Sequence, residues 1–510
     1  MAHGLAVIGR DGIFTYSDLD TASRRVASAL LDGRDDLDEA RVAFLVTPGS
    51  AYAAIQRGIW RAGGVAVPLA VTHPPAELDY VIRDSGASLV IADSPAAGAL
   101  GPLAAGAGAR FLLSTDALQA APADVPSHIG ASRRAMIVYT SGTTGRPKGV
   151  VSTHATIGAQ IASLVAAWEW TPADRLLLAL PLHHVHGIIN GLGSALAVRA
   201  TCEIRLFETE AIWDRLASGK ITVFTAVPTM YHRLIASWDA ASPDERRRRS
   251  EGVRQLRLMM SGSAALPVPT LERWREISGH VLLERYGMTE IGMALANPLS
   301  GVRRPGFVGT PLPGVEVRLV DESGALVADG TPGEIEVRGP SVFSEYWQRP
   351  EETQTAFRDG WFRTGDVAVV EDDSYRLLGR TSVDIIKTGG FKVSALEIEA
   401  VLRAHPAIAE CAVVGVDDPE WGERVALAVE LRPGAAISLQ ELQLWARPQL
   451  ASYKIPRALT SVEALPRNAM GKVVKPQVAE LFRSEDPAKI STSERRQQHE
   501  FQSPGRRVSR

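Results

Sequence analysis

Between Tyr139 and Gly149 the chain reads Tyr-Thr-Ser-Gly-Thr-Thr-Gly-Arg-Pro-Lys-Gly, a run of hydroxyls and glycines carrying two cations. Glycines let backbone N–H groups approach an anion closely, and Ser and Thr hydroxyls add donors, so this composition suits a triphosphate. Thr140, Ser141, Gly142, Thr143, Thr144, Gly145 and Lys148 are the expected gripping residues. The run is not a P-loop, because Lys148 is followed by Gly149 and Pro147 would disturb the helix start. A second constellation, Tyr286-Gly-Met-Thr-Glu290, pairs a hydroxyl that can meet a phosphate oxygen with a carboxylate. A carboxylate beside phosphates is tolerable mainly when it holds Mg²⁺. Trp361-Phe-Arg-Thr-Gly-Asp366 places an acceptor-only side chain after a glycine turn. Lys472 closes Pro466-Arg-Asn-Ala-Met-Gly-Lys, and Gly389 and Gly390 in Lys387-Thr-Gly-Gly-Phe-Lys-Val-Ser394 leave room for a thin chain to pass. Taken singly, each of these segments also reads as a turn or a solvated charge. Their order along one chain is what argues for a site.

The elements that must position these residues follow from periodicity. Apolar runs at Arg41–Thr47, Ser88–Asp93, Arg175–Pro181, Thr222–Pro228 and Leu256–Gly262 read as strands, with helical patterns such as Ser17–Leu31 and Pro75–Ser85 between the early ones. Such alternation predicts layered α/β architecture with largely parallel sheets. The Ala/Gly/Pro-rich stretch Ser94–Val125 reads as a loose connection. Residues 314–380 turn β-rich, through Val315–Asp321, Gly333–Gly339 and Tyr375–Gly379. A compact α+β pattern then follows, with capping boxes at Ser394–Glu397 and Ser438–Glu441 and strands at Glu410–Val416 and Arg424–Leu431. The expected organisation is a large N-terminal domain over 1–380, a small C-terminal domain over 381–483, and a polar, basic, disordered tail over 484–510.

Bulk properties narrow the function classes. The chain has 510 residues, 45% hydrophobic and 22% charged, with a net charge of −3, which argues against nucleic acid as a partner. Only two cysteines are present, Cys202 and Cys411, so neither a disulfide framework nor a thiolate metal site is expected. No apolar run approaches the length of a membrane span. The first residues show no targeting pattern, and the cytoplasm is the expected compartment. The histidines at 183, 184 and 186 follow a buried strand without other clustered ligands, so they read as packing or substrate groups ahead of a metal site.

In this order and approximate spacing the motifs resemble those of the adenylate-forming superfamily, which includes acyl-CoA synthetases, luciferases and peptide-synthetase adenylation domains. The resemblance implies ATP, Mg²⁺ and coenzyme A as small-molecule partners, and a large N-terminal domain with a mobile C-terminal one. It implies that Thr289 contacts the α-phosphate, Glu290 the magnesium, and Tyr286, with Gly287 and Met288, the adenine side. By the same resemblance Asp366 bonds the ribose, and Arg380 lies near ribose and phosphates. Lys472 bridges the attacking carboxylate and the α-phosphate. Gly389, Gly390 and Phe391 line the pantetheine tunnel. The hinge is not assigned to one residue, since Thr381-Ser-Val-Asp384 is one residue longer than the commonest pattern. Amino-acid activation is disfavoured, because Pro181-Leu-His-His-Val-His-Gly187 lacks the acid that holds an amino group; by resemblance His184 lies beside the acyl carboxylate.

Glu284-Arg-Tyr-Gly-Met-Thr-Glu-Ile-Gly-Met-Ala-Leu295, Arg303-Arg-Pro-Gly306 and Arg380-Thr-Ser-Val-Asp-Ile-Ile-Lys-Thr-Gly-Gly390 look like the malonyl-CoA synthetase branch. That branch implies conversion of malonate to malonyl-AMP and then malonyl-CoA, with AMP and pyrophosphate released and Arg303 gripping the distal carboxylate. A short dicarboxylate offers little apolar area, whereas an unpaired desolvated arginine costs about 3–5 kcal/mol, or roughly 10²–10³-fold in discrimination. The alternatives are a ligase for methylmalonate or for a medium-chain or aromatic acid, and an inactive nucleotide-binding homologue. The presence of Lys472 and Glu290 argues against the last.

Overall fold

The computed structural model describes residues 4–122, 125–126, 128–140, 147–381, 383–388, 391–468 and 471–483, apart from the side chain of Lys392. The expected tail over 484–510 and the predicted site residues Ser141, Gly142, Thr143, Thr144, Gly145, Gly389 and Gly390 lie outside them. Two compact units divide at Leu377/Leu378.

Mixed α/β architecture prevails in the first unit. Among the described residues its largest sheet has nine strands. At its centre Thr201–Ile204, Arg175–Leu178, Val223–Ala226, Leu258–Ser261 and Leu283–Met288 run parallel in that spatial order. Val223–Ala226 and Leu258–Ser261 are buried at every position, as expected for parallel strands covered on both faces. Trp213 stacks on Trp274 at 5.5 Å under this sheet. At one edge the chain reverses, so that Gly292–Ala296 lies antiparallel to Leu283–Met288.

The second sheet orders Glu345–Tyr346, Lys148–Thr153, Arg134–Thr140, Val65–Pro68, Arg41–Leu45, Leu89–Ala92 and Arg110–Leu113. Within it Arg134–Thr140 and Lys148–Thr153 are antiparallel, and Thr140 faces Lys148 at their ends. The expected β-rich part is present as Glu316–Val320, Gly333–Arg338, Trp361–Glu371 and Phe357–Arg358.

The stretch Ser94–Val125 differs from the expectation. It contains a helix at Ser94–Gly106, a strand at Arg110–Leu113 and a helix at Ser114–Gln119. Asp93 caps the first helix by accepting from the Ala96 N–H, and fully buried Leu100 and Ala104 join the core with Val90 and Ile82. Tertiary burial overrides the poor helix propensity of three glycines and Pro102 in that segment.

In the second unit Phe391–Ser394, Ile385–Thr388, Gly422–Leu431 and Ile408–Asp418 form a sheet in that order, with Ala458–Ser461 parallel to Gly422–Leu431. Ser438 and Glu441 form a reciprocal capping box. At Ser394 only half of the expected box forms. Its hydroxyl accepts from the Glu397 N–H, while the Glu397 carboxylate pairs with Lys454 at 2.7 Å.

Candidate functional site

The carboxyl ends of the central parallel strands bring four side chains together. Thr225 is the penultimate residue of one strand, Ser263 follows the next, Arg285 lies on the third, and His186 comes from the segment after Arg175–Leu178. Ligands of open α/β sheets bind at such strand ends. His186 opens a π-helix over His186–Gly193, a rare winding that is frequent at functional sites. Gly187 is required there, since a Cβ would overlap the Pro181 carbonyl oxygen.

His186 is buried and both ring nitrogens are engaged: Nδ1 with Ser263 Oγ at 2.9 Å and Nε2 with Thr225 Oγ1 at 2.8 Å. Arg285 Nη2 also meets Nε2. A guanidinium only donates, so Nε2 is the acceptor and the imidazole proton sits on Nδ1. Burial and the Arg285 charge push the His186 pKa well below its ordinary value, which keeps the ring neutral.

Arg285 is the unusual group. It is buried, and its remaining contacts are Thr225 Oγ1 at 3.3 Å and Met293 Sδ at 3.8 Å. Its Nε has no partner, and no ion pair to it is found among the described residues. Burial lowers its pKa to about 10, which leaves it charged at neutral pH. The space it fills exists because residue 262 is glycine, where a Cβ would overlap Arg285 Nη1. A buried cation surrounded by neutral groups is costly unless an anion joins it.

The same strand leads into the expected nucleotide residues. Tyr286 is buried and its hydroxyl donates to Asp366 Oδ2 at 2.6 Å, which joins two of the predicted positions. A bulge in the ladder between Glu334 and Glu336, together with a left-handed Gly365 (φ +72°), aims Asp366 out of its own strand. Gly287 and Met288 finish the strand, and half-buried Thr289 and buried Glu290 form the turn after it. Tyr346 donates to Glu290 Oε1 at 3.0 Å, and Lys148 Nζ lies 5.2 Å from the Tyr346 ring centre. Lys148 also pairs with Glu352. Thr140, Lys148, Tyr346 and Glu290 therefore form a connected series in the first unit.

His184 packs on His183 with ring centres 4.2 Å apart, and His183 lies 6.0 Å from His73. Burial lowers the pKa of His184 to about 4 and that of His183 to about 3. Among the described residues no group of His, Cys, Asp and Glu is placed to hold a metal by itself.

Arg303, expected at the distal carboxylate, is bonded to main chain. Its Nε donates to the Pro298 carbonyl at 3.0 Å, Nη1 to Val281 at 2.6 Å and Nη2 to Leu299 at 2.6 Å. Every nitrogen of that guanidinium is committed to main chain, so Arg303 fastens its loop to the end of the sheet. The sequence signal for Arg285 is a charged residue inside the strand Leu283–Met288, directly before Tyr286.

In the second unit Arg380 ends the strand Ser374–Arg380, and its N–H donates to Asp384 Oδ2 at 3.0 Å. Asp384 also pairs with half-buried Lys475 at 2.7 Å, and Lys475 with Glu399 at 2.7 Å. Phe391 is half exposed and stacks on Tyr453 at 4.2 Å. Lys472 is exposed on a turn held by the Asn468 N–H donating to the Lys472 carbonyl at 2.9 Å and by the Lys472 N–H donating to Asn468 Oδ1 at 3.0 Å.

Fold, strand-end site and motifs agree with one family. Residues 3–347 match the AMP-binding enzyme family and residues 397–472 the AMP-binding enzyme C-terminal domain. The chain belongs to the AMP-binding enzymes. Within that family it is 46% identical to the mitochondrial malonate–CoA ligase of Homo sapiens, over 94% of this chain and 90% of that protein. It is 42% identical to the malonate–CoA ligase of Arabidopsis thaliana, over 93% of this chain and 85% of that one. ATP-bound MatB from Rhodopseudomonas palustris superposes with a TM-score of 0.87 at 37% identity, covering 94% of this chain and 96% of that one.

Proposed function

We propose that this protein is a malonate–CoA ligase. Malonate attacks the α-phosphate of ATP, giving malonyl-adenylate and pyrophosphate; the coenzyme A thiol then takes the malonyl group and AMP leaves. The observation that carries the acid specificity is Arg285, a buried guanidinium with an unused Nε and no ion pair among the described residues. A malonate carboxylate supplies the missing anion, and neutral His186, Thr225 and Ser263 hold the guanidinium in place. The names of the plant and animal relatives support the same substrate. A methylmalonate side reaction follows from the chemistry, since one methyl is worth only about 1–3 kcal/mol in a pocket.

The barrier to adenylation is the approach of two anions. Lys148 and the hydroxyl- and glycine-rich turn before it spread positive charge over the phosphates, and Thr289 adds a hydroxyl at the α-phosphate. His184, neutral at physiological pH, donates one hydrogen bond to the reacting carboxylate and adds no competing charge. Lys472 meets the attacking carboxylate and the α-phosphate during adenylation. Tyr286 and Asp366 hold the nucleoside, assisted by Arg380. Glu290 suits Mg²⁺, which prefers one or two carboxylates plus phosphate oxygens; when bound, the ion would neutralise charge on the departing pyrophosphate. For the thioester step we assign Gly389, Gly390 and Phe391 of the small unit to the path of the thiol. The setting is a reducing compartment, in keeping with two free buried cysteines; cytoplasm is our assignment, while the animal relatives are named mitochondrial.

Acid-dependent AMP formation with ATP, Mg²⁺ and coenzyme A tests the proposal across acetate, malonate, methylmalonate, succinate, octanoate and a cinnamate. Malonate should dominate. Preference for octanoate or cinnamate would keep the ligase chemistry and remove Arg285 from the acyl pocket.

A further inference from the structure

We propose that Tyr80 and Asp84 are positioning residues for ATP: the helix Pro75–Ser85 clamps both stems of the phosphate-gripping turn. This rests on the reading of that turn as the triphosphate site. The incoming stem is the strand Arg134–Thr140, where the Tyr139 hydroxyl donates to Asp84 Oδ2 at 2.7 Å. The returning stem begins at Pro147, whose carbonyl accepts from the Tyr80 hydroxyl at 2.8 Å. One helix therefore grips the chain immediately before and immediately after the turn. The two tyrosine rings meet edge to face at 6.2 Å, which ties the two grips together.

Asp84 is itself fixed from a third direction. Its Oδ1 accepts from Arg349 Nη2 at 2.8 Å, and its backbone carbonyl accepts from Trp347 Nε1 at 3.1 Å. The main-chain N–H of Trp347 in turn donates to the Gly149 carbonyl at 2.7 Å, on the returning stem. The Asp84 side chain is 14% exposed, so this shared acceptor is largely shielded from water. Burial raises the pKa of both tyrosines, and both hydroxyls stay protonated donors throughout the physiological range.

The physical purpose follows from position. Fixing Tyr139 and Pro147 holds the neighbouring Thr140 and Lys148, two of the proposed phosphate contacts, in place before ATP binds, which lowers the ordering cost of binding. None of the clamping side chains needs to touch ATP, so the expected signature is a selective loss of ATP affinity.

The test compares Tyr80→Phe, Tyr139→Phe and the double variant with Tyr16→Phe, whose hydroxyl donates to the Ala200 carbonyl at 2.7 Å and serves as the control for a lost phenol. Full-length protein is used, with ATP affinity measured by calorimetry as well as by KM. Each single variant should weaken ATP about three- to tenfold, the range of one lost hydrogen bond. KM for malonate and coenzyme A should stay within about twofold, and conversion of pre-made malonyl-adenylate to the thioester should be unchanged. Tyr16→Phe should leave ATP affinity alone. Unchanged ATP affinity in the folded double variant would overturn the clamp, as would an equal weakening of all three substrates. Lack of AMP release by the wild type would strike the assigned reaction, while the calorimetric comparison would still decide the clamp. If the double variant does not fold, Tyr80→Phe alone decides it.

Discussion

Replacing Arg285 by methionine should move activity and stability in opposite directions. The guanidinium is buried with no ion pair among the described residues, and its Nε has no partner. An apolar side chain of similar length removes that charge and leaves His186 Nε2 still bonded to Thr225. Exchanging buried charge for apolar volume is neutral or stabilising by about 1–4 kcal/mol, so the melting temperature should hold or rise. Malonate binding should collapse. Its distal carboxylate would enter a buried site without a counter-charge, a loss of about 3–5 kcal/mol, or roughly 10²–10³-fold in kcat/KM. Butyrate, which brings no distal charge, should be used equally well or better. Arg303→Met is the contrasting variant. It loses three bonds to main-chain carbonyls, so stability should fall by about 2–4 kcal/mol while the malonate-to-acetate ratio is preserved. The assay is acid-dependent AMP release alongside thermal unfolding. A folded Arg285→Met protein with wild-type kcat/KM for malonate would refute the reasoning, and a collapsed ratio in Arg303→Met would return the role to Arg303.

Lys472→Ala should cripple adenylation and spare the thioester step from pre-made malonyl-adenylate; equal loss of both steps in single-turnover assays would contradict the division of labour. Glu284 is buried, accepts from the Gly306 N–H at 3.1 Å, and has its pKa raised by burial to about 8. A raised carboxyl contributes stability that is complete below its unfolded pKa of about 4.3 and lost as pH rises through about 8. Glu284→Gln keeps the acceptor and cannot ionise, so its melting temperature should gain on the wild type as pH increases from 5 to 9; parallel curves would exclude this. His183 and His184 titrate the other way. Their folded pKa values, about 3 and about 4, lie below the unfolded value, so stability should fall as pH drops below about 6.5. A His183→Gln/His184→Gln protein should show a shallower decline between pH 6.5 and 4 in denaturant titrations.

The sequence disclosed the alternation of strands and helices because buried parallel strands are continuous apolar runs, as Val223–Ala226 and Leu258–Ser261 are. It concealed the helix Ser94–Gly106, where local composition argues for a loop and only packing of Leu100 and Ala104 decides otherwise. Motif order singled out Tyr286 and Asp366, and the bond between them joins two motifs about eighty residues apart. The burial of Arg285 was less legible. A charged residue in a strand can face solvent or core, and nothing local announces that Gly262 vacates the space into which Arg285 fits. The contacts of Arg303 were hidden as well, because its three carbonyl acceptors are main chain and leave no trace in residue type.

The ratio of kcat/KM for malonate over monomethyl malonate tests the central claim most directly. The two acids share one chain, but the ester lacks the distal charge. Pairing of that charge with Arg285 predicts a ratio of roughly 10² or more for the wild type, reduced to about one in Arg285→Met. A wild-type ratio within about threefold of one would mean that no buried cation reads the second carboxylate, and the assignment of malonate through Arg285 would be wrong.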